Sequence, residues 1–174
     1  MKKGFTQHDY RMNRVGNNHA GFTLVELLLY MVILSTMLGV LTSFVVMTYK
    51  VRVKSQVVAE VEQQGNQTMD IITQAVRNSS AINLPVAQAS GATLTINSST
   101  TTFDMNANKI RMNDGVAYDI VSNKVAASGL LFTNVTETGG PGSVRIQFTL
   151  TYNNISGTNE YDYAKTFYAT ASRR

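Results

Sequence analysis

Glu26 is the residue whose surroundings most demand a chemical explanation. It stands in Gly21-Phe22-Thr23-Leu24-Val25-Glu26-Leu27-Leu28, at the mouth of an uncharged run from Leu27 to Tyr49. A carboxylate within a membrane helix costs up to a few kcal/mol unless it is paired or lies near the interface. Two readings follow. Glu26 is either an interfacial carboxylate that snorkels to water, or one that waits for a cationic partner.

Few other residues offer chemistry. The chain has no Cys, which excludes disulfide scaffolds, thiolate zinc sites and cysteine nucleophiles. Its two histidines, His8 and His19, both fall within the first twenty residues. Without that stretch, Ser-His-Asp catalysis and the common transition-metal sites are excluded as well. Only a carboxylate hydrolase would remain, and no enzymatic activity, metal or cofactor is expected. Asp104-x-Asn106-x-Asn108 has the opening spacing of a calcium loop. Lys109 stands where that loop requires Gly, and no closing Glu follows, so the segment reads as a hairpin turn. Gly139-Gly140-Pro141-Gly142 lacks a Lys and reads as a turn rather than a phosphate cradle. Tyr152, Tyr161, Tyr163 and Tyr168 cluster near the end. Sheet packing is the simpler account of them, and stacking on bases or sugars the sharper one. Asn78, Asn97, Asn134 and Asn154 each begin a glycosylation-type triplet, as chance provides in a chain so rich in Asn and Thr.

Charge narrows the partners. The net charge is +4, but Lys2, Lys3, Arg11 and Arg14 against Asp9 place most of it in the first 21 residues. Residues 83–174 carry seven Lys or Arg against six Asp or Glu. A basic face for nucleic acid needs clustering that this balance does not supply. A local patch at Arg173 and Arg174 is the remaining candidate.

The elements that hold Glu26 are legible in outline. The 174 residues suffice for one domain and an appendage. The run Leu27–Tyr49 spans roughly 34 Å as a helix, the thickness of a hydrocarbon core. Lys50, Arg52 and Lys54 follow it. Four basic residues before the run and three after it leave its orientation undecided. Beyond it, Val58, Val61, Gly65, Met69, Ile72 and Val76 recur at helical spacing, with Glu60, Glu62, Gln63, Gln67, Asp70 and Arg77 on the other faces. One helix is expected from Phe22 to about Ile82, stopped by Pro85. After Pro85 the period becomes two. Strands are expected at 93–97, 101–105, 109–112, 116–121, 130–136, 143–152 and 161–171. Antiparallel strands apolar on one face need a cover, and the stripe from Val58 to Val76 is the obvious one. The fold class is therefore α+β, a long helix across an antiparallel sheet.

The segment Gly21-Phe-Thr-Leu-Val-Glu26 before a long apolar helix resembles the processing and methylation motif of type IV prepilins and type II secretion pseudopilins. The resemblance implies a pilin-like fold and a structural function. It implies cleavage between Gly21 and Phe22 by a prepilin peptidase, N-methylation of Phe22, and a Glu26 that neutralises a neighbouring subunit's amino terminus and sets its register. It also implies residence in the cytoplasmic membrane, in contact with lipid, with an extracytoplasmic carboxy-terminal domain. After assembly with other pilin or pseudopilin subunits, the chain would lie in a pilus or at the cell surface. The leader has Ala20 where a Lys or Arg commonly precedes the Gly, and Lys3-Gly4-Phe5-Thr6 repeats the motif's start without an apolar run after it. Ser43 stands where many major pilins carry a helix-breaking Pro, so the helix is expected to stay straight unless packing melts it at Gly39. The segment Glu60–Asn78 and the tail Phe167–Arg174 are similar to J-type and W-type minor pilins. The division that follows is leader 1–21, transmembrane helix 22–49, amphipathic helix 50–84 and β domain 85–174. A DNA-uptake subunit and a signal-anchored extracellular protein are the alternatives.

Overall fold

The computed structural model describes residues 21–97 and 100–174. The leader expected over residues 1–21, with its histidines and the Lys3-Gly4-Phe5-Thr6 half-motif, lies outside the described residues except for Gly21. The chain divides into two compact units, residues 1–44 and 45–174.

Among its described residues, the first unit contributes one element, the start of helix α1 (Leu24–Arg77). Every residue from Gly21 to Phe44 is exposed. The hydroxyls of this apolar stretch bond to backbone carbonyls of the preceding turn. Ser35 donates to Val32 O at 3.0 Å, Thr36 to Ile33 O at 2.8 Å and Thr42 to Leu38 O at 2.8 Å. Such back-bonding leaves no unmet donor to face hydrocarbon. Ser43 does the same to Gly39 O at 3.0 Å, and α1 continues unbroken through Gly39.

The second unit holds the rest of α1 and all the strands. After α1 come β1 (Ile82–Leu84), β2 (Ser90–Gly91), β3 (Leu94–Ile96), β4 (Thr101–Asn106), β5 (Lys109–Asn113), β6 (Ala117–Asp119), β7 (Val125–Asn134), β8 (Ser143–Tyr152) and β9 (Ala164–Ser172). A short 3₁₀ turn, Asn159–Tyr161, precedes β9. The strands form two antiparallel sheets rather than one, ordered β1-β3-β4-β5-β6 and β2-β7-β8-β9. The helix packs its apolar stripe on them, giving the α+β, pilin-like architecture. Val61, Ile72 and Val76 share one core with Phe103, Phe132 and Phe148.

Some expectations shift. The helix ends at Arg77, not near Ile82, and the amphipathic helical stretch expected to reach residue 84 is shorter by that amount. Ser79 turns its hydroxyl back to Val76 O at 2.7 Å and ends the helix before Pro85 can act. The buried stripe runs through Val53, Val57 and Val61, while Val58 is only half-buried. β7 starts five residues before the expected Leu130, because a bulge between Ser128 and Leu131, with Gly129 at φ 61°, breaks its period. The last strand starts at Ala164, since 159–161 is occupied by the 3₁₀ turn. β8 falls on the expected residues, with Val144, Ile146, Phe148 and Leu150 all buried on one face.

One close fit locks helix to sheet. A Cβ built on Gly65 would lie 2.0 Å from Cζ of Phe167, so the Phe167 ring packs directly on the helix backbone. That ring also stacks on Phe148, with centroids 5.5 Å apart. Ion pairs run alongside, Lys124 to Glu60 at 3.1 Å and Lys165 to Glu62 at 2.7 Å. Hydrogen bonds from Gln64 and then Lys124 hold the Glu60 carboxyl below its usual value. The Lys165 hydrogen bond does the same for Glu62, and in return Glu62 raises Lys165.

Candidate functional site

The amino-terminal end of α1 is built on Thr23. Its hydroxyl accepts from Glu26 N at 3.2 Å, and its carbonyl accepts from Leu27 N at 3.2 Å. Thr23 is thus the helix cap, and Glu26 stands three residues on in the first turn, where a carboxylate complements the exposed N–H dipoles. The Thr-x-x-Glu spacing is a capping signature that was legible in the sequence and went unread there. One turn later, the Tyr30 hydroxyl donates to Glu26 Oε1 at 3.4 Å, a long hydrogen bond. Tyr30 also meets Phe22 edge-on, with ring centroids 6.0 Å apart. The i, i+4 spacing of Glu26 and Tyr30 and the i, i+8 spacing of Phe22 and Tyr30 are the signals that would have found Tyr30.

Gly21, Phe22 and Glu26 are therefore grouped on one exposed helix end. Phe22 is 73 % exposed. A Cβ on Gly21 would meet nothing within 4 Å, so the fold makes no steric demand for glycine there. Glu26 has no ion pair among the described residues and only the weak Tyr30 contact for its carboxylate. The end carries a carboxylate with capacity for a further donor, next to a chain segment open to an approaching protein.

The other candidates are absorbed by the fold. The Asp104–Asn108 segment is the β4–β5 hairpin, with Ala107 and Asn108 both at positive φ, as a two-residue turn of this hand requires. Asp104 is engaged with Arg111, at 3.0 and 2.8 Å to its two oxygens. Asn134 is buried and donates to Pro85 O at 2.8 Å. Asn97 accepts from Ser80 N at 2.8 Å, and Asn154 donates to Asp162 Oδ1 at 2.6 Å. The tyrosines part company. Tyr152 and Tyr161 stack at 6.0 Å, Tyr163 lies under the Lys54 ammonium, and Tyr168 is exposed on β9.

Comparison with known proteins bears on the same end of the chain. Residues 16–42 match the prokaryotic N-terminal methylation motif. Neither the curated proteins nor the solved structures yield a match. The motif supports a type IV pilin-like precursor, and it implies processing by prepilin peptidase and assembly with other pilins. Proteins built on this motif are structural rather than catalytic. The long apolar helix fits a membrane-anchored pilin.

Proposed function

We propose that this chain is a minor subunit, a minor pilin or pseudopilin, of a type IV pilus-like filament. The observation that carries the reading is the methylation motif set against the geometry of the helix end. Gly21 meets no steric demand of the fold and lies within the matched motif, which supports its reading as the residue a peptidase recognises. Prepilin peptidase would cut between Gly21 and Phe22 and methylate the new amino group of Phe22. The extracytoplasmic domain would be residues 85–174 with the helix beneath it, and residues 22–49 would span the cytoplasmic membrane until assembly.

The mechanism is lateral packing of apolar helices, with register set by Glu26. A buried carboxylate and a buried ammonium are each costly alone and tolerable as a hydrogen-bonded pair. Residues 21–52 are exposed without exception, which supports a helix whose apolar faces are covered only by lipid or by other subunits. The similarity of Glu60–Asn78 and of the tail to J-type and W-type minor pilins favours a minor over a major subunit.

The test is the intact mass of the membrane-bound product, made with and without a prepilin peptidase. Loss of residues 1–21 and gain of a methyl group on Phe22 is the expected result. An unprocessed chain would instead make it a signal-anchored extracellular protein. The DNA-uptake alternative gains one local feature, a small cleft of 360 Å³ lined by Arg77 and Arg174. Asp70 lines the same cleft and opposes a phosphate there. Salt-dependent affinity of the chain for DNA would favour that alternative.

A further inference from the structure

The loop between β8 and the 3₁₀ turn holds a large apolar side chain in the open. Ile155 is 91 % exposed, the most exposed large apolar residue among those described. The loop around it is tied at both ends. Asn154 donates to Thr158 O at 3.0 Å and to Asp162 Oδ1 at 2.6 Å, and it accepts from Gly157 N at 2.8 Å. Gly157, at φ 65°, makes the tight return.

The loop's position gives that exposure a meaning. The uncharged run ends at Tyr49, and the headgroup layer of a bilayer is about 5–7 Å thick on each side. At about 1.5 Å per residue, the four or five residues after Tyr49 lie in that layer, and they include Lys50, Arg52 and Lys54. The loop fastens to two of these three. Glu160 pairs with Lys50 at 3.0 Å, and the Asp162 carbonyl accepts from the Lys54 ammonium. Between loop and helix lies a groove of 390 Å³ whose walls include Val46, Tyr49, Ser156 and Tyr161. Tyrosines beside the end of an apolar run, with cations just outside it, are the composition of a membrane interface.

We propose that the loop 153–163 is a foot that docks the β domain on the bilayer, with Ile155 inserted at the headgroup–acyl boundary. This rests on the reading of residues 22–49 as membrane-spanning. The occupant of the surface is phospholipid. Of the loop's two acids, Glu160 pairs with Lys50 and Asp162 accepts from Asn154, while Arg52 has no ion pair among the described residues and is left to meet an anionic headgroup. Docking would hold the domain at one tilt and height before assembly, and extraction into a filament would release it.

The chain has no cysteine, so single labels are unambiguous. The full chain is placed one copy per nanodisc of phosphatidylcholine and phosphatidylglycerol, with a nitroxide on Ile155→Cys, Thr170→Cys or Leu38→Cys. Thr170 is exposed on β9, which runs from the loop toward Arg77, so it reports the far side of the domain. The expected result is that residue 155 is several-fold less accessible than residue 170 to a water-soluble relaxer and more accessible to oxygen. Residue 38 should be the most lipid-like. Equal, water-like accessibility at 155 and 170, with 38 in lipid, overturns the foot and leaves the anchor standing. A water-like residue 38 overturns both. Single-copy discs exclude protection by a second chain.

Discussion

At the scale of single residues, Glu26 has one role within its own chain and a proposed one outside it. Within its own chain it sits in the first turn of a helix capped by Thr23, where its charge is favoured. Its carboxylate has lone pairs beyond the Tyr30 contact, and in the proposed filament an ammonium from outside the chain would take them. Glu26→Val removes the carboxylate from both places, but keeps the Thr23 cap and the apolar run. The variant should still fractionate with the membrane, and filament purification should recover almost none of it. Normal incorporation would sink the proposed role in register.

At the scale of elements, the seat of Phe167 on Gly65 decides how closely helix and sheet approach. Gly65→Ala places a methyl 2.0 Å from the ring, so the ring or the helix must move. Overpacking of this kind costs about 1–3 kcal/mol, against the small gain that Ala brings to a helix elsewhere. A clear fall in the melting temperature of the β domain is expected, and an unchanged or raised one would mean the ring slides away freely.

The ion pairs beside that seat carry a pH signature. Glu60 and Glu62 are held below the ordinary carboxylate value of 4.5. A depressed folded pKa gives stability that is present above 4.5 and is lost as pH falls through the folded values beneath it. Lys165, raised above its ordinary 10.5, contributes below that pH and loses its contribution above it. Denaturant titrations should therefore show stability from these pairs holding from neutral pH down to about 4.5 and declining below. Glu62→Gln should flatten part of that decline. Both groups of the Glu62 pair are well solvated, so the effect is small.

At the scale of the whole molecule, the buried core begins at Val53, and all its members lie in the unit of residues 45–174. The first unit contributes no buried residue among those described. A fragment of residues 45–174 should therefore fold by itself, with one cooperative thermal transition in circular dichroism and strand signal retained. The same fragment should not enter filaments, because the apolar helix proposed to pack against neighbours is gone. A fragment without a transition would show that the apolar helix takes part in the fold as well as in assembly.

Sequence alone determined what depends on local pattern. The uncharged run, the Gly21-Phe22 junction, Glu26, the β8 face and the Asp104–Asn108 hairpin are each set by composition or short-range period. Physical forces acting within a few residues decide them. The tertiary structure decided what depends on residues far apart. It split one expected sheet into two, because the short β1 and β3 to β6 register with one another and the long β7, β8 and β9 with one another. It moved the stripe from Val58 to Val57, since both are valine and only the sheet's position distinguishes them. It ended the helix at Arg77, where Ser79 satisfies a carbonyl before Pro85 is reached. It also gave Gly65 its reason, a ring contributed from about a hundred residues away, and brought Glu160 beside Lys50. No periodicity in the chain connects such pairs, because their proximity is a property of packing.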